Sequence, residues 1–213
     1  LMAFQETNQV LSMTLVIFAL DQYRHFAILQ SQVHEPWVRK MGSTLGLGMR
    51  YTPSSCFQTF PFPPSTPETD QRMEDTGKAL YEARSIYMIK HQLGMTETWN
   101  RLLEENNEHY YDEEIEDIRQ KRYDMDRAVL DAYGWSDLEP TDDKDIIARL
   151  RKLNAERALE EVLGEGPSMD ALIQSATKHI KALGTMQGEF AMTSDTTVND
   201  LVAEAEKKLK KVK

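Results

Sequence analysis

The run Phe60-Pro61-Phe62-Pro63-Pro64 constrains this chain more than any other feature, because no regular element passes through it. Each proline disfavours helix at the residue before it, and none donates to a sheet ladder. The run reads as an extended exit, and the sequence on its two sides follows different patterns. After it, the apolar repeats have the period of a helix. Thr66-Pro67-Glu68 is a helix start, with proline at the first position and acids in the first turn. That helix is expected to run to His91 or Gln92 and stop at Gly94. A shorter helix over Thr96–Asn106 carries Trp99, Leu102 and Leu103. The next, about Asp112–Tyr133, sets Ile115, Ile118, Met125, Val129 and Ala132 on one stripe and ends at Gly134. Asp142–Leu163 repeats the pattern with Ile146, Leu150, Leu153 and Val162. Helices joined by short loops predict an antiparallel bundle. Pro167–Leu183 is a further amphipathic helix, and a lysine-rich, solvated helix is expected from Val198 onward.

Before the proline run the pattern is mixed. Met13–Leu20 is rich in β-branched and aromatic residues and predicts a buried strand. Asp21 is placed to cap a helix in which Phe26, Leu29, Val33 and Trp37 share one face, with Pro36 bending it a turn before its end. Gly42 to Gly48 is expected as a loop and Met49–Thr52 as a short strand. The expected fold class is mainly α: a small α/β piece over residues 1–63, an antiparallel helical bundle over 64–163 and a helical tail over 164–213. The first piece has too few strands to close a sheet by itself.

Charge narrows the function classes. With 35 acidic and 25 basic residues the net charge is -10, unlike a free-standing nucleic-acid binder, whose balance is usually basic. A local basic strip on an acidic body stays compatible, because phosphate contacts depend on nearby charge. Cys56 is the single cysteine, which rules out an internal disulfide framework and a multi-cysteine zinc site and fits a reducing, cytoplasmic compartment. The longest apolar run, Leu11–Leu20, is about half the ~20 residues a membrane span needs, and it lacks the flanks of a signal peptide. The opening Leu1-Met2 is unusual for a natural start and suggests a chain cut from something longer or begun at a non-standard codon.

Few residue patterns carry chemistry. Gly42, Gly46 and Gly48 match neither the dinucleotide fingerprint nor a P-loop. His25 and His34 are nine residues apart, a spacing that puts no metal pair on one helix face. The acidic block from Glu104 to Asp117 has no glycine for a calcium loop and reads as a solvated helix start. The lysines at the C-terminal end (Lys207, Lys208, Lys210, Lys211, Lys213) read as a solubilising terminus. What remains is the stretch around the glycines: Arg39, Lys40 and Arg50, with Ser43, Thr44, Tyr51 and Thr52 between or beside them. Cations, hydroxyls and exposed backbone amides on one loop are the equipment for phosphate and base-edge contacts, although an ordinary surface loop carries the same residues. Between Glu35 and Glu68 there is no Asp or Glu, and Arg39, Lys40 and Arg50 all fall inside that window.

Phe18-Ala19-Leu20-Asp21, His34-Glu35-Pro36-Trp37-Val38-Arg39, Gly42-Ser43-Thr44-Leu45 and the run from Arg50-Tyr51-Thr52-Pro53 to Phe60-Pro61-Phe62-Pro63 occur in one order. They are followed by Met125-Asp126-Arg127-Ala128-Val129-Leu130-Asp131-Ala132-Tyr133-Gly134-Trp135 and Leu153-Asn154-Ala155-Glu156-Arg157. This series resembles the C-terminal end of the MmeI-like enzymes, single-chain type II restriction–modification proteins and related adenine methyltransferases of defence systems. The resemblance covers about residues 14–163 and does not reach residues 164–213.

The resemblance implies that residues 1–63 are the final portion of a target-recognition domain and 64–163 a C-terminal helical domain. It further implies a parent enzyme that transfers a methyl group from S-adenosylmethionine to adenine N6 in double-stranded DNA, with the methyltransferase core supplied in cis or in trans. The parts that would do this are absent from the sequence. It has no Asn/Asp-Pro-Pro-Tyr/Phe motif to grip a flipped adenine and no Gly-rich cofactor motif, and Pro63-Pro64 stands in another context. The chain alone is therefore expected to be catalytically silent and to hold no cofactor. The alternative, from another class, is an α-helical interaction or scaffold protein, which the stripe of Ile115, Ile118, Arg122, Met125 and Val129 would suit.

Overall fold

Ser31 divides in two the helix that the spacing of Phe26, Leu29, Val33 and Trp37 predicts. Its hydroxyl donates to the Ile28 carbonyl at 2.7 Å and accepts from the Val33 and His34 N–H groups at 3.2 and 3.3 Å. A side chain that satisfies the backbone in this way competes with continuation of the helix. In the computed structural model, which describes residues 1–12, 15–45 and 48–164, helix α1 (Tyr23–Gln30) ends at this break and α2 (His34–Met41) begins after it. Pro36 does not bend the chain. It is the third residue of α2, where the missing N–H would have had no intrahelical acceptor. Nor does Asp21 cap α1: Gln22 holds that position without a side-chain bond.

The predicted buried strand over Met13–Leu20 is not present. Met13 and Thr14 lie outside the described residues, and residues 15–20 form no strand, with Leu15 and Ile17 57% and 68% exposed. A strand needs a partner for its backbone, and among the described residues none pairs with this segment. The sheet lies where a loop was expected. β1 (Ser43–Leu45) and β2 (Gly48–Arg50) pair antiparallel, Ser43 opposite Arg50 and Thr44 opposite Met49. The expected strand over Met49–Thr52 thus starts one residue earlier and ends at Arg50; Gly46 and Leu47 lie outside the described residues. A short helix, α3 (Pro53–Cys56), follows directly with Thr52 at its N-cap. The Phe60–Pro64 exit has no regular structure, as its prolines require.

Beyond the exit the helices fall close to their expected bounds. α4 (Pro67–His91) opens on a capping box between Thr66 and Thr69 and closes on Gln92, which takes the left-handed conformation at φ 53°. Gly94 is not its stop but the N-cap of α5 (Met95–Leu103). α6 (Glu113–Ala132) and α7 (Asp143–Gly164) complete the described elements. The protein is mainly α, as expected. α4 and α6 run antiparallel: Arg72 near the start of α4 meets Asp131 near the end of α6, while Lys90 and Glu114 pair at the other end.

Leu1–Lys152 forms one compact unit and Leu153–Lys213 a second. Within the first, residues on both sides of the proline run share a core. α1 lies against α4 and α6, the Arg24 N–H donates to Glu74 at 2.7 Å, and the Tyr133 hydroxyl donates to the Pro61 carbonyl at 2.8 Å. Ala27, Val33, Trp37, Leu80, Ile115, Met125, Val129 and Ile146 are fully buried. Residues 165–213, with the expected Pro167–Leu183 helix and the lysine-rich end, lie outside the described residues.

Candidate nucleic-acid interface

The hairpin stands on a short, tightly connected base. Gly42 joins α2 to β1, and a Cβ there would sit 2.7 Å from the Val38 carbonyl oxygen and 3.1 Å from that of Arg50. Only glycine allows the strand to leave the helix at this distance. On the other side, the Ser55 hydroxyl donates to the Met41 carbonyl at 2.8 Å, tying α3 to the end of α2. The Ser43 and Thr52 hydroxyls lie 3.1 Å apart and close the foot of the hairpin. Arg50 is directly opposite Ser43, exposed, and in no ion pair among the described residues. Thr44 is opposite Met49, whose side chain is 55% exposed.

Tyr51 turns inward instead. Its hydroxyl is 3.1 Å from His34 Nε2, the donor depending on the imidazole tautomer, and its ring meets Phe18 edge-on. His34 is buried against Phe60, and burial pulls its pKa down to about 3, so the imidazole is neutral. Burial likewise pushes the Tyr51 phenol up. The pair fixes the exit of β2 on α2.

The predicted cations differ in their surroundings. Arg39 is exposed, but Nη2 and Nε reach Glu35 Oε1 at 2.6 and 3.1 Å, one helical turn back. Asp143 at the start of α7 is also close enough that its carboxyl is influenced by Arg39 and by Glu35, although burial is the main cause of its raised pKa. The acid-free window read in the sequence is thus not acid-free in space. Lys40 is half-buried beside Arg39. The fold therefore brings Ser43, Arg50 and Thr52 together at one hairpin foot, leaves Arg39 paired to an acid, and uses Tyr51 inward.

Beneath α2 lies a buried polar group that sequence reasoning missed in part. Asp126 of α6 is 2% exposed and accepts the Gln32 N–H at 2.9 Å, at the break between α1 and α2. Arg122, one turn earlier, lies 3.9 Å from Asp126 and 3.8 Å from Glu35 Oε2, with its guanidinium 4.9 Å from the Trp99 ring. Burial pushes the Asp126 carboxyl up to about 7, against the pull of Arg122 and the Gln32 N–H. The signal for Arg122 was available: it is a cation on an apolar stripe. Asp126, four residues on, lies on the same face and carried the same signal. The acidic block behaves as read: Glu114 takes Lys90 and His91, and Asp117 pairs with Lys121.

The hairpin, its brace α2 and the proline exit all fall within one stretch that corresponds to a known family. Residues 2–64 match the MmeI target recognition domain. The match covers less than a third of the chain and ends at the last proline of the exit. Among solved structures, one described as the type IIL restriction-modification enzyme MmeI in complex with DNA is similar at 23% identity and a TM-score of 0.48. That similarity covers 64% of this chain and 16% of the other, so the chain spans only a small part of that enzyme's length. No curated protein matches the sequence. The recognition-domain match thus contains every candidate contact residue, Arg39, Lys40, Ser43, Thr44, Arg50, Tyr51 and Thr52. No group of three or more histidines, cysteines or acids among the described residues is placed to hold a metal ion, and no described helix is long and apolar enough to cross a membrane.

Proposed function

We propose that this protein is the DNA-recognition and structural C-terminal segment of a site-specific adenine-N6 DNA methyltransferase. The observation that carries the reading is the match of residues 2–64 to the MmeI target recognition domain, with the exposed hairpin inside it. Residues 1–63 belong to recognition, and 64–163 brace it as a helical domain. The partner is double-stranded DNA. The methyltransferase core joins in cis or in trans and brings S-adenosylmethionine, whose methyl group goes to the adenine. A two-stranded ribbon fits the width of the major groove, where base edges are distinguishable. Arg50 and the hydroxyls of Ser43 and Thr52 present a cation and two hydrogen-bonding groups at its foot. Arg39 and Lys40 extend the positive strip along α2 toward the phosphates.

Salt-dependent binding of a mixed-sequence duplex by the 213-residue chain is the test. Arg50→Ala is expected to weaken binding and, for a phosphate contact, to flatten the log–log salt dependence by about one unit of slope. A base contact would instead cost ~1–3 kcal/mol and relax specificity at one position. Glu113→Ala and Glu114→Ala, in the acidic block at the start of α6, are expected to bind as the wild type or slightly tighter. Wild-type affinity and slope in both Arg39→Ala and Arg50→Ala would remove the hairpin assignment. Absence of salt-dependent binding by the wild-type chain would favour a helical interaction protein.

A further inference from the structure

Both donor groups on one edge of the Arg39 guanidinium are occupied. Nε and Nη2 both reach Glu35 Oε1, at 3.1 and 2.6 Å. That edge is one of the two through which a guanidinium can grip a phosphate with paired hydrogen bonds. The other oxygen of the same carboxylate, Oε2, lies 3.8 Å from Arg122 Nη2. Arg122 is not free to follow Glu35 outward: its side chain is 8% exposed, it lies 3.9 Å from Asp126, and its guanidinium is over the Trp99 ring. A buried guanidinium needs an anion nearby, because uncompensated charge in the interior is costly. Glu35 supplies it at 3.8 Å, and of the two carboxyls beside Arg122 it is the one that also reaches the surface. One carboxylate thus bridges a buried cation of α6 and an exposed cation of α2.

We infer that Glu35 is a built-in competitor for DNA phosphate at Arg39, held in position by Arg122. This rests on the reading of residues 39–52 as the DNA-facing surface. In the free protein Arg39 is engaged by Glu35. On DNA a phosphate replaces Oε1, and Glu35 keeps its charge partner in Arg122, so no carboxylate is left unpaired. Weak, misplaced phosphates do not displace Glu35; those presented in register with the hairpin do. Glu35 is therefore a positioning residue for Arg39 and a filter against indiscriminate binding.

A double-mutant cycle on the 213-residue chain tests this, with affinity for a short mixed-sequence duplex measured across a salt series. Glu35→Gln is expected to bind about two- to fivefold tighter, the scale of an exposed ion pair. In the Arg39→Ala background the same substitution is expected to change nothing. Glu68→Gln, an exposed acid in the first turn of α4, reports the general effect of removing one negative charge. Equal tightening by Glu35→Gln with and without Arg39 would reduce the effect to overall charge and overturn the inference, as would no tightening while Arg39→Ala weakens binding. Either result leaves the DNA reading standing. Wild-type binding by both Arg39→Ala and Arg50→Ala would instead remove the hairpin assignment and the inference with it. The Arg39 Nε–H resonance of the unsubstituted chain gives a second readout that no folding defect disturbs. It is expected to shift on adding duplex while that of Arg122 stays in place; an unmoved Arg39 signal at saturation would overturn the competitor role.

Discussion

Asp126 and His34 are both buried, and burial moves their pKa values in opposite directions, to about 7 and about 3. The consequences for stability oppose one another. From about pH 4 to pH 7 the unfolded chain releases a proton from Asp126 that the folded chain keeps, so this group's contribution falls as pH rises. From pH 6.5 down to about 3 the unfolded chain takes up a proton on His34 that the folded chain refuses, so stability is lost toward acid. In the shared window, roughly pH 4 to 6.5, the two slopes offset. Asp126→Asn removes the gain toward acid and is expected to steepen acid destabilisation. His34→Gln keeps a hydrogen-bonding group for Tyr51, loses the acid penalty and is expected to gain stability, relative to the wild type, as pH falls across that window. Urea unfolding at both ends of the window decides the matter, and profiles parallel to the wild type would contradict the assignments.

Between the elements α1 and α4 the backbones approach closely, and a glycine permits it. A Cβ at Gly77 would lie 2.5 Å from the Tyr23 carbonyl oxygen and 3.1 Å from the Ala27 side chain. In an isolated helix alanine is favoured over glycine by about 1 kcal/mol. Here the neighbour is helix backbone, which cannot move aside as a flexible side chain would. Gly77→Ala is therefore expected to destabilise the protein by a net ~1–3 kcal/mol, the usual cost of overpacking. A lower urea midpoint with unchanged slope checks this; a higher midpoint would mean that α1 and α4 separate freely. The same packing explains why residues 2–64, a family segment in sequence, are not a packing unit in space.

At the scale of the molecule, residues on both sides of the proline exit belong to one compact unit, Leu1–Lys152. Phe26, Ala27, Ile28 and Leu29 are buried on α1, which packs against α4 and α6. Asp126 accepts the Gln32 N–H, and Tyr133 donates to the Pro61 carbonyl. The matched segment by itself would expose those side chains and leave those backbone groups to water. A fragment of residues 1–64 is expected to show no cooperative thermal transition by circular dichroism, whereas the 213-residue chain is expected to show one. A cooperative melt of the fragment would mean that α4 and α6 are dispensable for its folding.

The sequence by itself determined the mainly helical class, the proline exit and the bounds of α4 and α6 to within a residue or two. These rest on local physics: fixed proline dihedrals, helix caps and apolar stripes of helical period act between residues near in the chain. It also singled out the residues of the hairpin foot. Only the tertiary structure decided the rest. Met13–Leu20 has strand composition, but residues 15–20 find no pairing partner among the described residues, and a strand is defined by its partner. Ser31, a weak local signal, broke a helix because its hydroxyl found three backbone groups. The Glu35–Arg39 pair, one helical turn apart, is local, but only the fold brings Asp143 of α7 close enough to feel both. Charge acts through space, and spacing along the chain reports it only where the fold keeps near residues near.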